Sequence, residues 1–120
     1  MKALRALEAP GPGTCLELAH IPRVDALRLH RPDTLRRLFT DAEWTYCLGH
    51  RRADQHLAAR LAAKRAVTTL MGRRPYASIE IQRDERGAPC LLIDGQPAPL
   101  RVSLSHDGDL ALALVARKNP

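Results

Sequence analysis

The sequence has few aromatic residues, few cysteines and no long apolar run. Only 3% of its 120 residues are aromatic, so the core must consist of Leu, Ala, Val and Ile, and no stacking platform for bases is expected. Cys15, Cys47 and Cys90 lack the paired spacing of zinc or dithiol sites, which argues against a disulfide framework and indicates a reducing compartment. No segment reaches the length of a membrane span or resembles a signal peptide. These absences predict a soluble cytoplasmic protein without a membrane partner.

Positive charge is concentrated in one part of the chain. The formal net charge is +6, and residues 51–74 contain seven basic residues against one acid, Asp54. Such a segment attracts a phosphate-rich ligand, a nucleic acid or an acidic protein surface, or it is simply the solvated face of a helix. No zinc, homeodomain or RNA-binding aromatic signature accompanies the charge, which argues against nucleic acid as the partner.

The chain length suits one domain, and its first half is predicted to be mainly helical. Residues 1–13 end in a Pro- and Gly-rich stretch and form a flexible N-terminal lead, so the single domain spans residues 14–120. A strand is predicted at 14–18 and a turn at 21–24. Helices are predicted at 33–39 and, from a capping box formed by Thr40 and Glu43, up to Gly49.

One long helix and a set of paired strands complete the prediction. The helix should run from about Ala53 to Met71, with Gly72 suited to a left-handed cap. Strands are predicted at 79–82 and 90–93, and a closing hairpin at 101–105 and 110–115. Because helices precede paired strands, the predicted class is α+β, with an antiparallel sheet packed against one long and one or two shorter helices.

Three basic residues share one face of the long helix. His56, Arg60 and Lys64 are spaced four residues apart, which predicts a basic ridge along the helix. Like charges on such a ridge repel one another unless an anion binds there. Arg65 follows the apolar Leu61 by four residues, so it should lie at the edge between the core and this ridge.

Four short motifs occur along nearly the whole chain, at residues 39–43 (FTDAE), 59–66 (ARLAAKRA), 84–89 (DERGAP) and 103–107 (SLSHD). In this order and spacing they resemble the holo-acyl-carrier-protein synthase group of 4′-phosphopantetheinyl transferases over roughly residues 13–116. The resemblance implies that family's fold, and transfer of the phosphopantetheine arm of coenzyme A to a serine of an acyl carrier protein. It also implies coenzyme A as substrate, magnesium, and a homotrimer with sites between subunits.

The resemblance, read with the basic ridge, suggests a set of site residues. Carrier proteins are acidic and coenzyme A carries three phosphate groups, so a basic ridge suits either ligand. The expected catalytic residues are Glu17, Lys64, Arg65 and His106. The expected coenzyme A contacts are Arg60, Lys64, Ser103 and His106. The expected carrier-protein contacts are Arg23, His56 and Arg60.

The metal position departs from the family's pattern. The family's magnesium sits on an aspartate of a first-strand Gly-x-Asp motif and on a glutamate directly after the helical lysine. Here Glu17 replaces the aspartate, Cys15 the glycine and Arg65 the glutamate, and His20 matches a further glutamate after the strand. A guanidinium is a permanent donor that cannot ligate a cation. We therefore predict an ion pair between Glu17 and Arg65, no metal site unless Glu17 holds an ion, and a doubtful need for magnesium.

Two functions remain open at this point. In the first, Arg65 acts as a built-in cation on the pyrophosphate, with Lys64 on the phosphate and His106 positioning it, so that transfer persists with little or no metal. In the second, transfer is lost, and the protein binds a carrier protein or its pantetheine arm as a scaffold, a regulator or an enzyme acting on a carrier-bound acyl group. Cys15, Glu17 and His20 are then available for new chemistry, although simple packing of Cys15 and hydrogen bonding of His20 are the more common roles of such residues.

Overall fold

The computed structural model describes residues 13–118. In this range one strand is followed by four helices and then by five further strands. The lead predicted for residues 1–13 lies outside the described residues except for Gly13. The elements in chain order are β1 (Thr14–His20), α1 (Ile21–His30), α2 (Pro32–Arg36), α3 (Asp41–Leu48), α4 (Ala53–Met71), a 3-10 turn (Tyr76–Ser78), β2 (Ile79–Arg83), β3 (Pro89–Ile93), β4 (Gln96–Pro97), β5 (Leu100–Asp107) and β6 (Leu110–Arg117). No helix in the described part is long and apolar enough to cross a membrane.

The strands form two antiparallel sheets of three strands each, which confirms the α+β class and corrects the expectation of one sheet. The first sheet has the order β1-β6-β5 and the second the order β2-β3-β4. The predicted closing hairpin is present as β5 and β6, in a register that pairs Val102 with Val115. The first sheet brings the two ends of the described chain together, because β1 pairs with β6 along its whole length.

Helix α4 packs across one face of the first sheet. Ala62, Ala63 and Ala66 on the helix are buried in the same cluster as Ala113 and Val115 of β6. Side chains this small let a helix approach a sheet closely and still fill the space between them. The low aromatic content therefore matches a core built largely on alanine.

In the helical segment, one sequence prediction is confirmed and two are corrected. The capping box is present, since Thr40 Oγ1 accepts from the Glu43 amide at 3.2 Å and Glu43 Oε1 accepts from the Thr40 amide at 3.0 Å. The turn predicted at residues 21–24 is wrong, because helix α1 begins at Ile21 and Pro22 lies in its first turn, where no backbone donor is needed. Gly72 has the expected positive φ of 96°, but its ψ of 161° is extended and not left-handed helical.

Candidate functional site

The first candidate site is a cavity of about 180 Å³ between helix α4 and the ends of β2 and β5. Its lining residues are Gln55, His56, Ala59, Arg60, Arg83, Leu104, Ser105 and His106. Four of these side chains are basic or titrate to a cation, and none is acidic. We call this space the basic cavity; its composition suits an anion.

Arg60 is the most unusual residue of the basic cavity because it is almost completely buried without a counter-ion. Only 1% of its surface is exposed, and its Nε has no hydrogen-bond partner among the described residues. Nη1 makes a long hydrogen bond to the His56 carbonyl at 3.4 Å, and the guanidinium lies 4.7 Å from the centre of the Tyr46 ring. A buried guanidinium left in this state is costly unless a ligand completes its hydrogen bonds.

His56 lies half-buried in the same cavity, among other basic groups. Burial lowers the pKa of His56 to about 4, and the positive charges of His50, Arg60, Arg83 and His106 act in the same direction. The imidazole is therefore neutral near pH 7, with one ring nitrogen able to accept a proton. His56 was expected to contact a protein partner, whereas the structure places it inside a small cavity.

Lys64 corrects the predicted basic ridge, because its side chain is fully buried and satisfied within the protein. The ammonium donates to Glu43 Oε1 at 2.6 Å, to the Leu38 carbonyl at 2.8 Å and to the Tyr76 carbonyl at 2.9 Å. Burial lowers the pKa of Lys64, and the Glu43 carboxylate opposes that effect. All three donors of the ammonium are used, so in this conformation Lys64 has none left for a phosphate.

The second candidate site is a groove of about 350 Å³ on the other side of helix α4. Leu18, Leu27, Leu61 and Leu110 contribute apolar surface to it, and His20, Arg23 and Arg65 contribute polar groups. Arg23 lies exposed on α1, as a contact for a partner would require. We call this surface the arginine groove.

The predicted pair of Glu17 and Arg65 is present beside the arginine groove. Arg65 Nη1 lies 3.9 Å from Glu17 Oε2, and the arginine side chain is 61% exposed whereas that of Glu17 is 24% exposed. At this distance the contact is an ion pair and not a short hydrogen bond. Arg65 is therefore held loosely and can reach a ligand in solvent.

Cys15 adjoins this pair, with Sγ 4.0 Å from Glu17 Oε1. Burial and the neighbouring Glu17 carboxylate raise the pKa of the Cys15 thiol, and a hydrogen bond from the Thr69 side chain opposes them. A thiol with a raised pKa is a poor nucleophile near neutral pH. Its surroundings do not favour the new chemistry that was left open for Cys15.

The side chains around Glu17 do not fit the magnesium site that the resemblance implies. Magnesium requires several oxygen ligands, and the Glu17 carboxylate faces a guanidinium. Across residues 13–118, no group of three or more His, Cys, Asp and Glu side chains is arranged to hold an ion.

Five of the predicted site residues line two separate surfaces of the chain, whereas Lys64 is buried in the core. His56, Arg60 and His106 line the basic cavity, and Arg23 and Arg65 line the arginine groove. Ser103 does not line the basic cavity, although Ser105, two residues later on the same face of β5, does. A ligand that contacts both groups has to bridge two surfaces of the chain, or surfaces of two chains.

Sequence reasoning missed one residue that lines the basic cavity and one that pairs with Lys64 in the core. Arg83 lines the basic cavity because it ends strand β2 beside the mouth of the cavity. The sequence signal was a basic residue directly after the alternating Ile79 and Ile81. Glu43 was identified as a capping residue only, although its second oxygen also accepts from the Ile81 amide at 2.9 Å.

The chain is similar in sequence and fold to a group of characterised proteins. It is 36% identical to the holo-[acyl-carrier-protein] synthase of Geobacter sulfurreducens over 90% of this chain and 98% of that protein. The corresponding protein of Geotalea daltonii is 33% identical over 86% of this chain and 94% of its own length. No protein-family model matches the sequence.

Solved structures give the same result for the fold. A holo-(acyl-carrier-protein) synthase from Bacillus anthracis in complex with CoA (3′,5′-ADP) superposes with a TM-score of 0.74 at 23% identity, covering 89% of this chain and 96% of that one. A Chronobacterium ammoniagenes ACPS-CoA complex superposes with a TM-score of 0.67 at 28% identity, covering 89% and 98% of the two chains. Both superpositions cover about nine-tenths of this chain.

Proposed function

Since this chain belongs to the holo-[acyl-carrier-protein] synthase family, we propose that it transfers the 4′-phosphopantetheine arm of coenzyme A to a serine of an acyl carrier protein. The observation that carries this proposal is the basic cavity, in which the buried guanidinium of Arg60 lacks a counter-ion. Phosphate groups supply the negative charge and the acceptor oxygens that such a guanidinium needs. Arg60 and His106 are then the coenzyme A contacts, as expected from the sequence.

In this proposal Arg65 supplies the positive charge that a metal ion would otherwise provide. The serine hydroxyl oxygen attacks the pyrophosphate phosphorus nearer to the pantetheine, a phosphodiester bond forms, and the bond to the bridging oxygen breaks to release 3′,5′-ADP. Negative charge grows on the leaving phosphate, and a guanidinium that donates to a pyrophosphate oxygen stabilises it. Transfer would then need little or no magnesium.

Glu17 is the candidate for the proton of the attacking serine. While Arg65 pairs with it, Oε2 of Glu17 faces the guanidinium and not a substrate hydroxyl. Movement of Arg65 onto the pyrophosphate leaves Glu17 free to accept the proton. Lys64 contributes indirectly, because its buried contact with Glu43 fixes helix α4, which carries both Arg60 and Arg65.

The separation of the two groups of site residues supports a homotrimer. On the sheet face opposite to the buried Ala113, Leu16 pairs with Leu114 and Leu18 pairs with Leu112; all of these leucines except the buried Leu112 are partly exposed. Partly exposed leucines side by side on one sheet face favour association. In a closed ring, the basic cavity of one subunit can adjoin the arginine groove of the next, which completes a site that a single chain leaves divided.

One specific observation favours a second function. Glu17 and Arg65 form an ion pair where the resemblance places the metal ligands, and a guanidinium cannot act as the Lewis acid that magnesium supplies. The alternative is therefore a homologue without transferase activity that binds a carrier protein or its pantetheine arm as a scaffold, a regulator or an enzyme acting on a carrier-bound acyl group.

A mass-spectrometric transfer assay tests both functions. The protein is incubated with coenzyme A and several apo carrier proteins, with magnesium and with a chelator, and the mass of the carrier is measured. A gain equal to one phosphopantetheine that survives the chelator supports transfer with Arg65 as the cation. No gain under any condition would exclude transfer, and binding of a carrier without a mass gain would favour the alternative.

A further inference from the structure

The basic cavity contains a histidine that is positioned to exchange a proton when an anion enters. Every element around His56 presents either a cation or a neutral polar group to it. These groups are Tyr46 from α3, His50 from the loop after α3, Gln55 and Arg60 from α4, Arg83 from the end of β2 and His106 from the end of β5.

Among residues 13–118, no carboxylate lines the cavity to balance this positive charge. Asp54, the acid closest to His56 along α4, is engaged by Arg52 at 3.5 Å, and Asp107 does not line the cavity although it follows His106. The Nε of Arg60 is buried without a partner, which independently points to a missing acceptor at this place. The positive charge of the free cavity is therefore not balanced by the side chains that line it.

His56 differs from the two other histidines near the cavity in its burial. His50 and His106 are exposed, so water can solvate their charged forms, whereas His56 is half-buried. The ring of His50 lies 4.4 Å from that of His56, and its Nδ1 is 2.7 Å from the Tyr46 carbonyl, which holds it in place. A proton on His56 is thus opposed by its neighbours until negative charge arrives.

We propose that binding of a phosphate or other oxyanion in the basic cavity is coupled to uptake of a proton by His56. The anion cancels the repulsion from Arg60 and Arg83, and its oxygens accept a hydrogen bond from the imidazolium. This inference rests on the proposed function only in taking the anion to be a phosphate of coenzyme A. It makes His56 a residue that sets the pH dependence of coenzyme binding.

The direction of the effect follows from linkage. In the free protein the pKa of His56 lies at about 4, and a bound anion raises it. Between those two pKa values, binding takes up a proton, so anion affinity increases as the pH falls, by up to about tenfold per pH unit. By reciprocity, protonation of His56 favours the anion by the same factor.

Histidine NMR measures the proton directly. Sulfate is the first probe, because it stays fully ionised across the range and contributes no proton of its own, and 3′,5′-ADP is the second. In the free protein the His56 ring should remain neutral between about pH 5 and pH 8, and with saturating probe it should titrate within that range. Apparent sulfate affinity should be about tenfold higher near pH 5.5 than near pH 7.5.

Two variants separate His56 from the other histidines. His56→Gln keeps a polar side chain and should remove most of the pH dependence of sulfate binding while Arg60 and Arg83 still bind the anion. His30→Gln is the matched control, because His30 is exposed on α1 and does not line the cavity. It should behave as the unaltered protein.

The outcomes distinguish this inference from the proposed function. If either probe binds while His56 stays neutral, or if His56→Gln leaves the pH dependence intact, proton coupling is refuted and coenzyme binding stands. If neither probe binds at any pH, the basic cavity is not an anion site. Both the proton coupling of His56 and the placement of coenzyme A in this cavity are then refuted. A probe that binds and protonates His56, combined with no carrier mass gain, supports the coupling and refutes the transfer.

Discussion

Replacement of Lys64 by methionine is the most informative perturbation of this chain. Lys64 and Glu43 are both fully buried, and their 2.6 Å contact joins helix α4 to helix α3. Methionine has a similar length and fits an apolar site, so Lys64→Met removes the charge and the three hydrogen bonds with little change in volume. Glu43 would then remain as a buried carboxylate with only the Thr40 and Ile81 amides as donors.

The expected cost is large because a charge is left without its partner. Breaking a buried ion pair by removing one side typically costs about 3–5 kcal/mol. That loss is a large fraction of the roughly 5–15 kcal/mol by which small domains are stable. If Glu43→Gln is added, the uncompensated charge disappears, so the double variant should be more stable than the sum of the two single losses predicts.

Urea unfolding of the four proteins measures this coupling. Arg65→Met is the matched control: it exchanges the same kind of side chain one residue later, at an exposed position, and should change stability by less than about 0.5 kcal/mol. A Lys64→Met protein that loses less than about 1 kcal/mol, or strictly additive losses, would refute the buried-pair reasoning. If Lys64→Met kept its stability but lost transfer, Lys64 would instead be a phosphate contact.

Three further predictions address the metal, the assembly and the acid response. Arg65→Glu with Glu17→Asp should create a magnesium site, detectable by calorimetry with coenzyme A present; no metal dependence would mean that the two side chains do not share a site. Leu114→Lys should convert a trimer to monomers in sedimentation velocity, whereas Leu29→Lys at an exposed position on α1 should not; an unaltered chain that is already monomeric contradicts the trimer. The folded pKa of His56, about 4, lies below its ordinary value of 6.5, so the unfolded state binds more protons in this window. Stability should decline as the pH falls from 6.5 towards 4, by no more than about 1–2 kcal/mol because solvent screens a half-exposed group. Thermal unfolding of His56→Gln should lack this decline, and an identical decline would show that another group causes it.

The long helix and the capping box could be predicted because their signals are local. Helix α4 is rich in alanine and leucine and ends at Gly72, and its bounds match the prediction. Helix α1 could not be predicted in the same way. Pro22 is as compatible with a turn as with a first helical turn, and only the burial of Ile21 and Val24 against the rest of the fold selects the helix.

The environment of Lys64 shows why the site was harder to predict than the fold. A spacing of four residues puts His56, Arg60 and Lys64 on one face of a helix, but it does not say what covers that face. Here the cover is Glu43, which is 21 residues away in sequence, together with two backbone carbonyls. Burial divides the three side chains into one internal ion pair and two residues of a cavity.

The geometry of Glu17 and Arg65 determines how this chain could work without a metal. A pair at 3.9 Å with the arginine mostly exposed contributes only about 0.2–1 kcal/mol. Hydrogen bonds from a guanidinium to a charged oxygen contribute about 1.5–3 kcal/mol each, and a pyrophosphate can accept two of them. Arg65 should therefore leave Glu17 when the pyrophosphate arrives, and the same movement exposes the carboxylate as a base. A short, buried pair would have resisted that exchange, so the looseness of the contact favours transfer over a purely structural replacement of the metal.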